Sequence, residues 1–177
     1  GTGNTAVGFS SMITTSTGYK TTAIGWNSLY SNSTGYSNTA IGAEALYYTI
    51  GDENVAVGDR AGAYAKGDNN TYVGFKAGFG ADGADAGNVG IGSSALVAIV
   101  AGGYNVAIGN GAGNNITSGS SNVLIGSLAG DNTTDASGII AIGDSTVRLG
   151  TTTTGANYTV AIGNTALQAL TSGGKNV

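Results

Sequence analysis

Asn38-Thr39-Ala40-Ile41-Gly42 is one copy of a five-residue figure that returns ten times along the chain, and its reading decides the fold. With the glycine as anchor, the copies end at Gly8, Gly25, Gly42, Gly58, Gly74, Gly92, Gly109, Gly126, Gly143 and Gly163. The intervals are 17, 17, 16, 16, 18, 17, 17, 17 and 20 residues. A near-fixed period of this kind marks a repeat array, in which each unit stacks on its neighbours and length counts coils. Residues 1–177 therefore read as a single array. The residue before the anchor is Val or Ile in every copy: Val7, Ile24, Ile41, Val57, Val73, Ile91, Ile108, Ile125, Ile142 and Ile162.

Each period runs Asn-Thr/Val-Ala-Ile/Val-Gly, two variable residues, Ala-Leu or Ala-Gly, a polar stretch and a further glycine, which predicts two short strands and two turns. Side chains alternate across a strand, so the residue three before the anchor (Thr5, Thr22, Thr39, Val55, Thr71, Val89, Val106, Val123, Ile140, Val160) shares a face with the Val/Ile column. Both columns are expected to face inward as the structural core. The residue between them then faces outward; it is Ala6, Ala23, Ala40, Ala56, Ala107, Ala141 or Ala161, with Tyr72, Gly90 and Leu124 as exceptions. A solvated face carries polar residues, so a small apolar column predicts an interchain face. The second strand is expected at the small-then-apolar pairs such as Ala45-Leu46 and Ala95-Leu96. Glycine interrupts every window and no apolar set holds helical spacing, which excludes helices.

Coils in parallel register lie about 4.8 Å apart, so ten give a rod of roughly 45 Å. The anchor asparagines Asn4, Asn38, Asn54, Asn70, Asn88, Asn105 and Asn122, and again Asn176, are expected to stack into an amide ladder. The glycines before the anchors (Gly18, Gly35, Gly51, Gly67, Gly102, Gly119, Gly174) suit corners of positive φ or close approach. The chain opens at Gly1-Thr2-Gly3-Asn4 and stops at Lys175-Asn176-Val177, the start of a further copy, where an array normally carries an atypical cap. The expectation is a segment of a longer fibre.

Asn105-Val106-Ala107-Ile108-Gly109-Asn110-Gly111-Ala112 resembles the head repeat of YadA-type trimeric autotransporter adhesins. Asn38-Thr39-Ala40-Ile41-Gly42-Ala43-Glu44-Ala45-Leu46 is similar to repeats of bacteriophage tail fibres and related bacterial surface fibres. The resemblance covers nearly the whole chain, with a longer period here than in the adhesin heads. It implies an all-β, left-handed parallel β-solenoid (β-roll) of about ten coils of 16–20 residues, packed as a homotrimer or filament, extracellular on a cell surface or virion, and serving adhesion or attachment.

Composition sets what such a fibre can do. Charged residues are 9 % of the chain, the net charge is -4, and His and Cys are absent. No basic cluster exists to hold a phosphate backbone, so nucleic acid is not an expected partner. No apolar run reaches the length of a membrane span. Nucleophilic catalysis lacks its usual base, and no catalytic, cofactor-binding or metal-binding residues are expected. Gly90-Ile91-Gly92-Ser93-Ser94-Ala95 imitates a dinucleotide fingerprint, but the repeat already accounts for its glycines and no βαβ unit surrounds it. The acidic turns Asp52-Glu53, Asp82 with Asp85, and Asp131 with Asp135 lack the spacing of a calcium loop.

Aromatic residues form the remaining candidate site. Phe9, Trp26 and Phe75 follow anchor glycines, and Tyr19, Tyr36 and Tyr104 sit just before an anchor figure; beside Asn, Ser and Thr they offer a surface for a glycan or host receptor. Aromatic ladders covering the corners are the simpler reading. Ice binding through the Thr column is disfavoured, because that column is expected to be buried and turns to Val in the second half. Five N-glycosylation patterns, at Asn32, Asn69, Asn115, Asn132 and Asn157, match by composition. The apolar run Ser94–Ala101 is expected in a locally buried corner or, preferably, in an interchain contact, and the Arg148–Asn157 insertion as a projecting loop.

Overall fold

The computed structural model describes residues 1–14, 17–83, 85–148 and 157–168. These form an all-β parallel solenoid. Ten three-residue strands lie in one sheet in sequence order: β1 (Thr5–Val7), β2 (Thr22–Ile24), β3 (Thr39–Ile41), β4 (Val55–Val57), β5 (Thr71–Val73), β6 (Val89–Ile91), β7 (Val106–Ile108), β8 (Val123–Ile125), β9 (Ile140–Ile142) and β10 (Val160–Ile162). Every neighbouring pair is parallel and in the register of the repeat, as in Thr22↔Thr39, Ala23↔Ala40 and Ile24↔Ile41. The interior of the Arg148–Asn157 insertion, Gly174 and Asn176 lie outside the described residues.

The anchor glycine has two reasons to be glycine. Its φ lies between +129° and +138° in all ten coils, a region closed to residues with a Cβ. Its backbone also stacks on the next anchor: a Cβ on Gly42 would sit 2.4 Å from the Gly58 carbonyl oxygen.

One strand per coil is present where two were expected. The second segment is a run of turns, because its residues at anchor plus two and plus four both adopt left-handed φ, for example Glu44 (52°) and Leu46 (47°). Alternate N–H groups consequently point to opposite neighbours. Glu44 N–H donates to the Trp26 carbonyl of the preceding coil (2.9 Å), and Leu46 N–H to the Ala61 carbonyl of the next (3.0 Å). The segment is hydrogen-bonded to both neighbours, as a strand would be, without having a strand's shape.

The expected inside and outside of the sheet are exchanged. Ala23, Ala40, Ala56, Ala107 and Ala141 are fully buried in the chain's own interior and Ala161 nearly so. Ala6, on the first coil, is exposed. The Val/Ile column faces outward: Val7, Ile24, Ile41, Ile91, Ile108, Ile125 and Ile162 are exposed, and Val57, Val73 and Ile142 half-buried. The alternation holds, but the enclosed face is the opposite one. The physical reason is the bore of the coil. The opposite wall already places Leu29, Leu46, Leu96 and Val147 with Ile99 and Ile116 inside, all fully buried. Stacked at about 4.8 Å, a sheet wall facing these can contribute little beyond a methyl group. Of the Ser94–Ala101 run, Ala95, Leu96 and Ile99 fill this chain's own core, the locally buried corner of the two readings, whereas Val100 and Ala101 are exposed.

Where the sheet does send a large side chain inward, the opposite wall retreats. Leu124 replaces Ala on β8, and its methyl groups occupy the space in which Cβ atoms on Gly113 and Gly130 would sit, at 2.9 and 2.6 Å. Tyr72 on β5 is matched by Gly62 and Gly78 in the same way. The choice between Ala-Leu and Ala-Gly in the second segment is thus a volume adjustment to the facing strand.

Candidate functional site

The asparagine column forms a ladder inside the roll. Asn38, Asn54, Asn70, Asn88, Asn105 and Asn122 are fully buried, and each amide bridges to the following coil. Asn54 N–H donates to Asn38 Oδ1 (2.9 Å), while Asn38 Nδ2 donates to the Gly51 carbonyl (2.8 Å). Asn4 begins the same pattern, through Gly18 O (2.9 Å) and Thr21 N–H (3.0 Å). A second, more exposed ladder runs two residues earlier. Tyr36 N–H donates to Asp52 Oδ1 (2.9 Å) and Asp52 N–H to Asp68 Oδ1 (2.8 Å). Further along, Ser120 N–H donates to Ser137 Oγ (3.0 Å) and Ser137 N–H to Asn157 Oδ1 (2.8 Å). Both ladders are structural.

The acidic turns are occupied in the same way. Asp52 serves the second ladder, Asp82 pairs with Lys66, and Asp131 accepts from Asn115 Nδ2 (2.8 Å) and Arg148 Nε (3.2 Å). Among the described residues no three acidic side chains gather where a metal ion could sit. Of the glycosylation patterns, Asn32 is fully buried and Asn157 is part of a ladder, whereas Asn69 is exposed.

Asp85 is an internal acid. It stands in a column held by glycine in most coils and accepts from the Tyr72 hydroxyl through Oδ2 at 2.8 Å. Its carboxyl is pushed up to about 6, chiefly by burial, against the opposing effect of the Tyr72 hydrogen bond. Tyr72 is itself raised, first by burial and then by the neighbouring carboxylate. The folded chain therefore keeps this proton at pH values where the unfolded chain has lost it. The resulting stabilisation is complete below about pH 4 and is lost as pH rises through 6, amounting to about 2 to 3 kcal/mol. Urea unfolding at pH 4 and pH 7.5 should show the native sequence losing that much more stability than Asp85→Asn over the same interval.

The aromatic candidates divide into two surfaces. Phe9, Trp26 and Phe75 lie on the outer face beside the Val/Ile column and are exposed, Trp26 to 50 %. They do not form one continuous stack, since Ala43 and Asp59 separate Trp26 from Phe75 in that column. Tyr19 and Tyr36 stack at 5.1 Å with planes 12° apart, as an aromatic ladder requires, and Tyr104 is exposed.

Sequence reading missed a second set. Tyr30 stacks on Tyr47 (5.0 Å) and Tyr48 on Tyr64 (5.9 Å); Tyr47 meets Tyr48 edge-on (4.4 Å), and Tyr64 meets Phe79 in the same way (5.2 Å). This edge of coils two to five borders a groove of about 420 Å³ lined by Ser31, Tyr48, Ile50, Tyr64, Lys66 and Asp82. The available signal was columnar: Ser31, Tyr48 and Tyr64 all stand six residues after an anchor, and Ile50, Lys66 and Asp82 eight after.

Two surfaces are thus built by the repeat, a flat apolar face along the whole sheet and an aromatic groove confined to four coils. Among the described residues no helix is long and apolar enough to cross a membrane. No protein family, no curated protein and no solved structure matches the chain.

Proposed function

We propose that the chain is a non-enzymatic structural repeat segment of an extracellular or virion fibre involved in attachment, and that copies of it associate through the outer Val/Ile face. The observation that carries this reading is the apolar column running from Val7 to Ile162 on the outer face of one ten-stranded sheet, with seven of its ten residues exposed. Contiguous apolar surface of this kind is uncommon on soluble monomers and marks contact sites. The contact face is therefore the Val/Ile column in place of the Ala column, and the number of chains, three, rests on the resemblance to adhesin heads.

Light scattering on the purified chain is expected to give the mass of a trimer. Ile91→Lys with Ile108→Lys places two unpaired cations in the contact and should weaken association by about a hundredfold or more, leaving the far-UV spectrum of the roll intact. A native mass of one chain at tens of micromolar would remove the proposal.

A second reading gains from the exchange of faces. Thr22, Thr39 and Thr71 stand half-buried on the same outward sheet, so burial no longer counts against a face that itself binds glycan or ice, and the objection that remains for ice is the turn of this column to Val89, Val106, Val123 and Val160 in the second half. Thermal hysteresis is the direct test for ice, and its absence would end that branch.

A further inference from the structure

We propose that the groove on the edge of coils two to five binds a neutral, extended pyranose chain, an activity separate from self-association and located away from the Val/Ile face. Ser31, Tyr48, Ile50, Tyr64, Lys66 and Asp82 line it. One wall is aromatic and runs with the solenoid axis, since Tyr48 and Tyr64 occupy the same position in consecutive coils and stack at 5.9 Å. The other wall is Ile50, Lys66 and Asp82, again one residue per coil.

The fold does not need these tyrosines. The same two positions, five and six after the anchor, are Val97 and Ala98 in the sixth coil, Asn114 and Asn115 in the seventh, and Asp131 and Asn132 in the eighth. Those coils stack through the second segment as the earlier ones do: Leu96 N–H donates to Ala112 O (3.0 Å) and Gly113 N–H to Ala129 O (2.9 Å), just as Leu46 N–H donates to Ala61 O (3.0 Å). An aromatic edge restricted to four coils of ten is a local addition to a repeat that closes without it.

Charge selects the ligand. Lys66 and Asp82 pair with each other, so the groove presents a donor and an acceptor side by side and no net charge. A charged ligand would have to break that pair, whereas a polyhydroxyl ligand can use both members, with the Tyr and Ser31 hydroxyls opposite. Apolar tyrosine and isoleucine carbons suit the C–H surface of sugar rings, with polar groups fixing orientation. The coil rise of about 4.8 Å is close to the length of one pyranose unit in an extended chain, so successive rings meet side chains at equivalent positions of successive coils.

Saturation-transfer NMR on the whole chain, with cellohexaose and with the hexamer of N-acetylglucosamine as probes, tests this. Transfer to at least one probe is expected. Tyr48→Ala and Tyr64→Ala should each weaken binding by about tenfold or more, and Tyr158→Ala, at an exposed tyrosine of the tenth coil, should leave it unchanged. Asp82→Ala alters an exposed side chain, retains the fold, and should also weaken binding, which decides the matter if a tyrosine variant unfolds. Failure of both probes to bind the native chain overturns the proposal, as does binding that survives Asp82→Ala and the Tyr48 and Tyr64 variants or is lost in Tyr158→Ala.

Discussion

Gly109→Ala is expected to destabilise the array by about 4 kcal/mol, read as a fall in the urea midpoint and as new protease cleavage near the seventh coil. Two independent costs add. The backbone holds φ at +137°, where any Cβ is strained, and that Cβ would stand 2.4 Å from the Gly126 carbonyl oxygen, an atom fixed by its own coil. Neither can be relieved alone, since moving Gly126 away disturbs its N–H, which donates to Ile108 O at 2.8 Å. Gly113 in the same coil supplies the comparison. Its φ of +58° is the conformation that Leu46 and Leu96 adopt at the equivalent position, and a Cβ there would meet the ends of the Leu124 and Leu96 side chains. Gly113→Ala should therefore cost only about 1 to 2 kcal/mol. Equal losses at the two positions would mean that backbone stacking of the anchors does not hold the coils.

What could be read from the sequence followed from features that each coil repeats identically. The glycine register sets the strands, their parallel order and their pairing, and the asparagine column predicts a stacked ladder, although its amides reach chiefly the backbone of the next coil, as Asn38 Nδ2 does at the Gly51 carbonyl. The orientation of the sheet was not legible, since alternation says which residues share a face and not which face is enclosed. Ranking by hydrophobicity alone fails in so narrow a bore: Ile41 is the more apolar residue, yet Ala40 is the one that fits. The left-handed pairs of the second segment were hidden as well, because Glu44, Arg60 and Lys76 are not residues whose composition announces positive φ. The groove escaped because its members belong to columns that are aromatic in only a few coils.

The fifth coil offers the test of how that interior is filled. Tyr72, Gly78 and Asp85 stand at columns whose usual residues are Ala, Leu or Gly, and Gly. The ring of Tyr72 occupies the place of a Gly78 side chain, with carbons 2.4 Å from where its Cβ would be, and its hydroxyl holds Asp85. The three are one linked exchange of volume and polarity. Tyr72→Ala alone should cost about 3 to 5 kcal/mol, because it opens a cavity and leaves Asp85 buried without the phenol. Adding Gly78→Leu and Asp85→Gly rebuilds the arrangement of Ala40, Leu46 and Gly51, and should recover at least half of the loss although two further residues have been changed. Leu is tolerated at position 78 on backbone grounds, since φ there is +60° and Leu96 holds 53° at the same column. Recovery would make the three substitutions strongly non-additive, as residues sharing one cavity must be. Additive losses in the triple variant would show that Tyr72 and Gly78 fill separate spaces and that the facing walls of the roll are not coupled.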